Sequence, residues 1–224
     1  RAPQGGWRKL SYAETLRGVR SIGQALTSRG LSAERPLVIL SDNGIDHALL
    51  ALGAMHVGVP YAPISPAYSL MSADHARLKS ILALLRPGLV FAEDGTRFAQ
   101  AIAAVRECCD FELLCSRNPS AGSTDFAKLA ATPATQAVDR AFEQVGPDSV
   151  AKLLFTSGST GEPKGVINTQ RMLCSNQQAI LQVWPFLAHE PPVILDWLPW
   201  SHTFGANHNF NMVLANGGTL YLDD

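Results

Sequence analysis

The sequence lacks the features that mark nucleic-acid-binding, membrane-spanning and disulfide-rich proteins. Its 18 lysines and arginines are balanced by 19 acidic residues, so no basic surface for nucleic acid is indicated. The longest apolar stretch, Ala48–Val59, is interrupted by His56 and is too short to span a bilayer. The four cysteines show neither C-x-x-C spacing nor the context of a small secreted protein. These absences predict a cytoplasmic protein with a packed core.

The loop that follows Val150–Phe155 carries most of the chemistry in the sequence. This apolar strand candidate leads into hydroxyl side chains interrupted by glycines, and Lys164 follows. The hydroxyl and glycine residues are Thr156, Ser157, Gly158, Ser159, Thr160 and Gly161. Because glycine adopts positive φ freely, successive backbone N–H groups can converge on an anion. With the hydroxyl donors and the charge of Lys164, the pattern predicts a polyphosphate site.

This loop has two other interpretations. A Walker A loop needs a Gly-Lys-Ser/Thr triplet and opens a helix, whereas Lys164 stands between Pro163 and Gly165. Residues 165–168 are instead a second short strand candidate, which predicts a hairpin. A run of serine, threonine and glycine is also typical of an ordinary solvated turn. The complete pattern of strand, two glycines, Pro-Lys-Gly and strand favours phosphate binding.

The segment Thr156–Gly165 resembles, position by position, the signature loop of the adenylate-forming enzymes. This superfamily includes acyl- and aryl-CoA synthetases, amino-acid-activating domains and firefly luciferases. Three further segments resemble its motifs in the expected order, namely Leu10–Glu14, Leu52–Pro66 and Leu198–Gly205. The resemblance therefore spans nearly all 224 residues.

The resemblance implies two half-reactions. A carboxylate attacks the α-phosphate of ATP to give an acyl adenylate and pyrophosphate, and the thiol of coenzyme A then displaces AMP. The implied nucleotide-binding residues are Thr156, Ser157, Gly158, Ser159, Thr160, Gly161 and Lys164. Lys164 and His202 are the implied catalytic residues, and Thr160 is a candidate ligand for the Mg²⁺ that accompanies ATP.

His202 has a second interpretation. A histidine beside Trp200 and Phe204 is often a packed neighbour of aromatic rings. In acyl-CoA synthetases the matching histidine borders the acyl pocket, whereas amino-acid-activating relatives commonly carry Asp there. The resemblance therefore implies that His202, Trp200 and Phe204 bind an acid other than an amino acid. The remaining histidines predicted to be solvated or at interfaces are His47, His56, His75 and His189.

The segment Asp196–Asn211 is similar to the feruloyl-CoA synthase group. Its aromatic and asparagine content favours a flat phenolic acid such as ferulate over a fatty chain. Fatty-acyl-CoA synthetases and amino-acid adenylation domains are alternatives within the fold, and a non-catalytic nucleotide-binding module is an alternative of another class. The expected partners are a small carboxylic acid, ATP and coenzyme A, while the sequence sets no oligomeric state.

Strands that alternate with helices predict an α/β fold with parallel sheets flanked by helices. The resemblance places residues 1–33 and 190–224 in one lobe and residues 34–187 in another, with the ligand cleft between them. It also implies an N-terminal AMP-binding domain that is incomplete at its C-terminus and lacks the small C-terminal domain. We therefore expect residues 1–224 alone to be inactive.

Four local patterns make definite structural predictions. Ser11 and Glu14 predict a capping box for a helix that runs to Gly30. Residues 41–43 predict the N-cap of the next helix. Two prolines in residues 59–64 predict an edge or irregular strand, and residues 116–149 are predicted to be mostly a connection.

Overall fold

The computed structural model describes residues 6–156 and 163–222. Its strands are β1 (Leu37–Leu40), β2 (Tyr61–Pro63), β3 (Leu89–Asp94), β4 (Glu112–Arg117), β5 (Thr124–Asp125), β6 (Val150–Thr156), β7 (Lys164–Thr169), β8 (Val193–Asp196) and β9 (Thr219–Leu222). Its α-helices are α1 (Tyr12–Ser28), α2 (Ile45–His56), α3 (Pro66–Leu70), α4 (Ala76–Leu85), α5 (Ala99–Arg106), α6 (Phe126–Ala130), α7 (Gln136–Glu143), α8 (Gln170–Val183) and α9 (Asn211–Ala215). A 3₁₀ turn covers Pro185–Ala188 and a π-helical turn covers Phe204–Phe210.

Seven strands form the main sheet, in the order β5-β4-β3-β1-β2-β6-β7. All neighbouring pairs are parallel except β6 and β7, which are antiparallel. The central strand β1 is buried along its whole length, because helices cover both faces of the sheet. One face packs on α1, α2 and α6, and the other packs on α4 and α5. The predicted α/β class with parallel strands is confirmed.

The first helix begins where the sequence predicts. The Ser11 hydroxyl accepts a bond from the backbone N–H of Glu14, and the Glu14 carboxylate accepts one from the N–H of Ser11. These reciprocal bonds form the expected capping box. The helix ends at Ser28, just before Gly30 with φ +65°.

Strand β2 corrects the prediction of an edge strand, because it lies between β1 and β6 in the sheet. The prolines do not prevent this position. Pro60 precedes the strand and its carbonyl accepts a bond from Leu37 N–H, and Pro63 is the last residue of β2. The ladder between β2 and β6 is short, and its paired residues are Tyr61 and Lys152.

The segment 116–149 is more ordered than predicted, because it contains β5, α6 and α7. Side chains cap the N-termini of both helices. Asp125 accepts a hydrogen bond from Ala127 N–H, and Thr135 accepts one from Ala137 N–H. Helices of five and eight residues are too short to give a clear helical period in the sequence.

A second sheet consists of the parallel strands β8 and β9. Helix α1 contributes to the core of the main sheet, and the Tyr12 hydroxyl also donates to the carbonyl oxygens of Val213 and Gly218, at 2.9 and 3.1 Å. The Tyr12 side chain therefore joins α1 to α9 and to the residue that precedes β9. The division into lobes at residues 33, 187 and 190 stays a prediction. In the described ranges, no helix has the length and apolar character needed to cross a membrane.

Candidate functional site

The predicted phosphate loop connects two antiparallel strands. The last pair of the β6–β7 ladder joins Thr156 to Lys164, so a strand and not a helix follows the loop. This geometry confirms the hairpin and excludes a Walker A arrangement. The predicted binding residues that lie outside the described residues are Ser157, Gly158, Ser159, Thr160 and Gly161. Thr160 is also the predicted magnesium ligand. The hairpin therefore brings together Thr156 and Lys164 from the predicted set.

Both residues at the base of the loop are exposed to solvent. Lys164 forms no ion pair with any residue in ranges 6–156 and 163–222. Gly165 faces the buried ring of Phe155, and a Cβ at this position would lie 3.3 Å from that ring. The glycine thus allows β7 to lie close over β6 directly beside Lys164.

The segment that contains His202 is fixed by a buried carboxylate. Asp196, at the end of β8, is 2% exposed and accepts three hydrogen bonds. The donors are the backbone N–H of Leu198 (3.2 Å), Nε1 of Trp200 (3.2 Å) and Nδ2 of Asn209 (2.8 Å). A buried carboxylate with this set of partners holds the loop after β8 against the π-helical turn.

Trp200 is an interior side chain. Its ring is 4% exposed and packs tilted against Phe210, with the centroids 4.6 Å apart. The edge of His47 lies against it with centroids 5.1 Å apart. Trp200 therefore belongs to the core around this loop, and contact between Trp200 and an acid stays a prediction.

His47 belongs to the same buried cluster, which corrects its assignment as a solvated or interface residue. It is 3% exposed, and its Nδ1 lies 3.1 Å from Ser41 Oγ and 3.2 Å from the Asp42 carbonyl oxygen. Burial is the main cause that lowers the pKa of His47 to about 4, and the charge of Lys152 lowers it further. The ring is therefore neutral at physiological pH. His75 is likewise buried, at 5% exposure.

Asn43 attaches this loop to the main sheet. Its Nδ2 donates to the carbonyl oxygen of Leu198 at 2.8 Å, and its Oδ1 accepts from the backbone N–H of Trp200 at 2.9 Å. Residues 41–43 were predicted to cap α2, but the N-cap is Gly44 and has no side-chain bond. The cap prediction is wrong because the polar group of Asn43 is used by a segment 155 residues away.

His202 is exposed, and its backbone N–H donates to the carbonyl oxygen of Pro199 at 3.0 Å. Within the described residues its ring has no hydrogen bond or ring contact, so it is not the packed aromatic neighbour of the alternative interpretation. No such contact joins it to Thr156 or Lys164 in the described ranges. A catalytic role for His202 stays a prediction.

The π-helical turn after His202 presents an aromatic surface. Phe204 is 55% exposed and stacks on His208, with centroids 4.7 Å apart and the rings inclined by 10°. Trp184 contacts His208 edge-on at 5.7 Å. A cavity of about 290 Å³ lies between this turn and α8, with Phe204, His208, Met172 and Asn176 among its lining residues. Short π-helical segments are frequent at functional sites.

An amide pair connects this turn to the phosphate hairpin. Asn207 Nδ2 donates to Oδ1 of Asn168 at 2.8 Å, and Asn168 lies on β7, four residues after Lys164. The backbone carbonyl of Asn207 accepts from Gln177 Nε2 at 2.7 Å. The buried Oδ1 of Asn207 has no hydrogen-bond partner in the part of the chain that is described. The amide pair thus joins the aromatic turn to the strand that carries Lys164.

Lys152 is an unexpected residue in the same region. It lies within β6, is fully buried, and its Nζ has no hydrogen-bond partner in the described ranges. The ammonium position is 5.6 Å from the ring centroid of Tyr61. Burial lowers the pKa of Lys152 to about 7. The signal available in the sequence is a lysine inside an otherwise apolar strand.

A larger cavity, of about 740 Å³, lies apart from these residues. It lies between α1, α2, α7 and α8, and Leu16, Leu52 and Met55 are among its lining residues. His56 lines it and stacks on Phe142 at 4.6 Å. None of the predicted catalytic or binding residues lines this cavity. The described ranges also contain no group of three or more His, Cys, Asp or Glu side chains arranged to hold a metal ion.

Comparisons with known proteins agree on one family. Residues 1–224 match the family described as AMP-binding enzyme. The chain is 28% identical over 216 residues to an indoleacetate–CoA ligase of Aromatoleum aromaticum, covering 96% of this chain and 40% of that protein. It is 32% identical over 173 residues to a sulfoacetate–CoA ligase of Cupriavidus necator, covering 75% of this chain and 31% of that protein.

The fold has a counterpart among solved structures. The chain resembles ATP-bound MatB from Rhodopseudomonas palustris with a TM-score of 0.72 at 24% identity, covering 97% of this chain and 40% of that structure. This likeness supports the α/β assignment. The chain spans less than half the length of each of these proteins.

Proposed function

Since the chain belongs to the AMP-binding enzyme family, we propose that the protein is an ATP-dependent ligase that joins a carboxylic acid to coenzyme A. The observation that carries the proposal is the β6–β7 hairpin, which ends on the exposed pair Thr156 and Lys164. The two relatives named as CoA ligases support the reaction type. Because this chain spans 40% or less of those relatives, the proposal concerns the whole protein.

The proposed reaction has two steps. A carboxylate oxygen of the acid attacks the α-phosphorus of ATP, the bond to the bridging oxygen of pyrophosphate breaks, and an acyl adenylate forms. The thiolate of coenzyme A then attacks the acyl carbon, and AMP leaves. The barrier to the first step falls when the leaving pyrophosphate is held and its charge is neutralised.

Lys164 and Thr156 are proposed to act on the β- and γ-phosphates. The ammonium of Lys164 is exposed and forms no ion pair within the described residues. The Thr156 hydroxyl adds a donor at the other strand of the hairpin. Ser157, Ser159 and Thr160, with the glycines between them, are proposed as the remaining donors on the basis of their sequence.

An aromatic acid, such as a hydroxycinnamate, is proposed as the substrate. The stacked rings of Phe204 and His208 offer a flat apolar wall to the cavity of about 290 Å³, and stacked rings contribute about 0.5–1.5 kcal/mol beyond the area they bury. The relatives named for indoleacetate and sulfoacetate differ in their acid, so these residues, more than the family, support the aromatic class.

Pyrophosphate exchange tests the proposal. In the full-length protein, acid-dependent exchange of labelled pyrophosphate into ATP should fall by about 10²–10³-fold in Lys164→Ala, as when one preorganised donor is removed from a developing charge. Lys128→Ala, which removes another exposed lysine, is the matched control and should match the wild type. An exchange rate that Lys164→Ala leaves unchanged would reject the phosphate assignment.

A substrate panel tests the acid. Ferulate, coumarate, benzoate, octanoate and phenylalanine are supplied with ATP and coenzyme A, and AMP formation is measured. A hydroxycinnamate should give the highest rate. If octanoate exceeded it about tenfold, a difference of about 1.4 kcal/mol, the aromatic class would be rejected and the ligase proposal would stand. ATP binding without exchange for any acid would instead support the nucleotide-binding module.

A further inference from the structure

The side chain of Asn43 bonds the loop 197–203 to the connection between β1 and α2. The amide of Asn43 bonds both the carbonyl oxygen of Leu198 and the backbone N–H of Trp200, at 2.8 and 2.9 Å. Between these two residues stands Pro199, which has no backbone N–H. The amide thus satisfies one acceptor and one donor of the loop in the way that a neighbouring β-strand would.

Contacts from its own side of the molecule also shape this loop. Asp196 binds Leu198 N–H and the Trp200 ring from the preceding strand. Gly205 lets the π-helical turn approach, since a Cβ there would lie 2.6 Å from the carbonyl oxygens of Leu198 and Pro199. These contacts fix the conformation of the loop, but they do not fix its place relative to the main sheet.

Asn43 lies at the edge of the main sheet where the phosphate hairpin also begins. It follows β1 in the connection to α2, at the carboxyl edge of the parallel strands, where β6 also ends at Thr156. His47 of α2 also packs on Trp200, and Ala48 and Leu52 of the same helix pack against the cluster of Trp200, Ala206 and Phe210. Such packing is less directional than two hydrogen bonds. His202 follows two residues after Trp200 and bonds back to Pro199.

We propose that Asn43 is a positioning residue that sets His202 in place relative to the phosphate hairpin. The proposal rests on the function proposed above, because it assigns the acid to one side of this contact and ATP to the other. Loss of the amide should leave the loop folded through Asp196 and Gly205, and the π-helical turn bonded to β7 through Asn207 and Asn168, but residues 198–202 free to shift against the sheet. The adenylation rate should then fall, while ATP affinity, which depends on the hairpin, should change little.

Hydrogen exchange measures the contact without reference to activity. In full-length Asn43→Ala, the Trp200 amide should exchange about tenfold or more faster than in the wild type, as expected from the loss of one backbone hydrogen bond. Tyr12→Phe is the matched control, because it removes the bonds from Tyr12 to Val213 and Gly218 and leaves the loop untouched.

Kinetics measure the consequence. Asn43→Ala should lower kcat for acid-dependent exchange by about 10- to 100-fold, the effect of a small misplacement of reacting groups, with the KM for ATP within about twofold of the wild type. Tyr12→Phe should keep the wild-type kcat. A general loss of stability would instead reduce the amount of active protein and accelerate amide exchange throughout the chain.

A second variant keeps the test valid if Asn43→Ala does not fold. In Asn43→Asp, the ionised carboxylate can still accept from Trp200 N–H but repels the Leu198 carbonyl, whereas the protonated acid can donate to it. The ionised carboxylate present at neutral pH should therefore lower kcat for acid-dependent exchange as Asn43→Ala does, while the Trp200 amide stays protected. A wild-type kcat in Asn43→Asp would contradict the role of the donated bond.

The outcomes separate the two proposals. Unchanged Trp200 exchange in Asn43→Ala would overturn the contact itself. Faster exchange with unchanged kcat would overturn the positioning role. If the wild type shows no acid-dependent exchange, the proposed function fails, and the positioning role that rests on it fails too; the contact is then judged by amide exchange alone.

Discussion

The buried Lys152 makes a quantitative prediction about stability. Replacing it with methionine, an apolar side chain of similar length, removes an ammonium group that has no hydrogen-bond partner in the described ranges. The pKa of Lys152 is lowered from 10.5 to about 7 by burial. At about 1.4 kcal/mol for each pH unit in that interval, the cost of protonation reaches at most about 5 kcal/mol. Attraction to the Tyr61 ring offsets about 2 kcal/mol or less of such a cost.

The pH dependence has a definite sign. The folded state favours the neutral amine, while the unfolded chain binds a proton below pH 10.5. The wild type therefore loses stability as the pH falls from 10.5 to about 7, and this residue contributes no further change below that. Lys152→Met lacks this loss. Its advantage in free energy of unfolding should be about 3 kcal/mol larger at pH 7 than at about pH 9.5.

Urea unfolding at a series of pH values measures this difference. The full-length wild type, Lys152→Met and the exposed control Lys128→Met are compared through tryptophan fluorescence. Lys128→Met should follow the wild type at every pH, because Lys128 is exposed. A difference between Lys152→Met and the wild type that stays constant with pH would refute the reasoning, and so would a lower stability of Lys152→Met at pH 7.

Two further predictions concern the cluster behind His202. The pKa of His47 is lowered from 6.5 to about 4, so the wild type should lose about 3 kcal/mol of stability as the pH falls through that interval and keep its full stability above it. In the same urea titration, His47→Gln should lose less stability over this pH range. An equal loss in both proteins would contradict the burial of a neutral His47. Gly205→Ala should lower the free energy of unfolding by about 1–3 kcal/mol, because its Cβ would meet two backbone carbonyls. Gly146→Ala, where a Cβ meets no atom within 4 Å, should change it far less, and equal values for both variants would show that the clash is relieved.

Features set by neighbouring residues were predictable from the sequence. The capping box of α1 depends on residues three apart, and the hairpin depends on a strand, a glycine-rich loop and a second strand in immediate succession. Their physical causes lie within a few positions of one another. Thr156 and Lys164 could therefore be placed at the loop before the structure was known.

Features set by distant partners were not predictable in this way. Asn43 has the chemistry of a helix cap, and its two partners lie 155 and 157 residues later. The interior place of β2 depends on the order of strands in the sheet, which the prolines do not reveal. The burial of Trp200 depends on Asp196, His47 and Phe210, which come from three separate elements.

The hydrogen bond between Asn168 and Asn207 also could not be predicted from the pattern of neighbouring residues. The asparagine content near His202 favours a phenolic acid in the sequence, but Asn207 binds Asn168 and Asn209 binds Asp196. Part of this polar character therefore holds the turn in place.

The two bonds of Tyr12 have a consequence for the order in which the chain folds during synthesis. The residues that accept them, Val213 and Gly218, follow Tyr12 by 201 and 206 positions. At the usual pace of translation, of 5–20 residues per second, about 10–40 s separate the emergence of the donor from that of its acceptors. Helix α1 can pack on α2 early, but its first turn stays incompletely bonded until β8, the π-helical turn and α9 have left the ribosome.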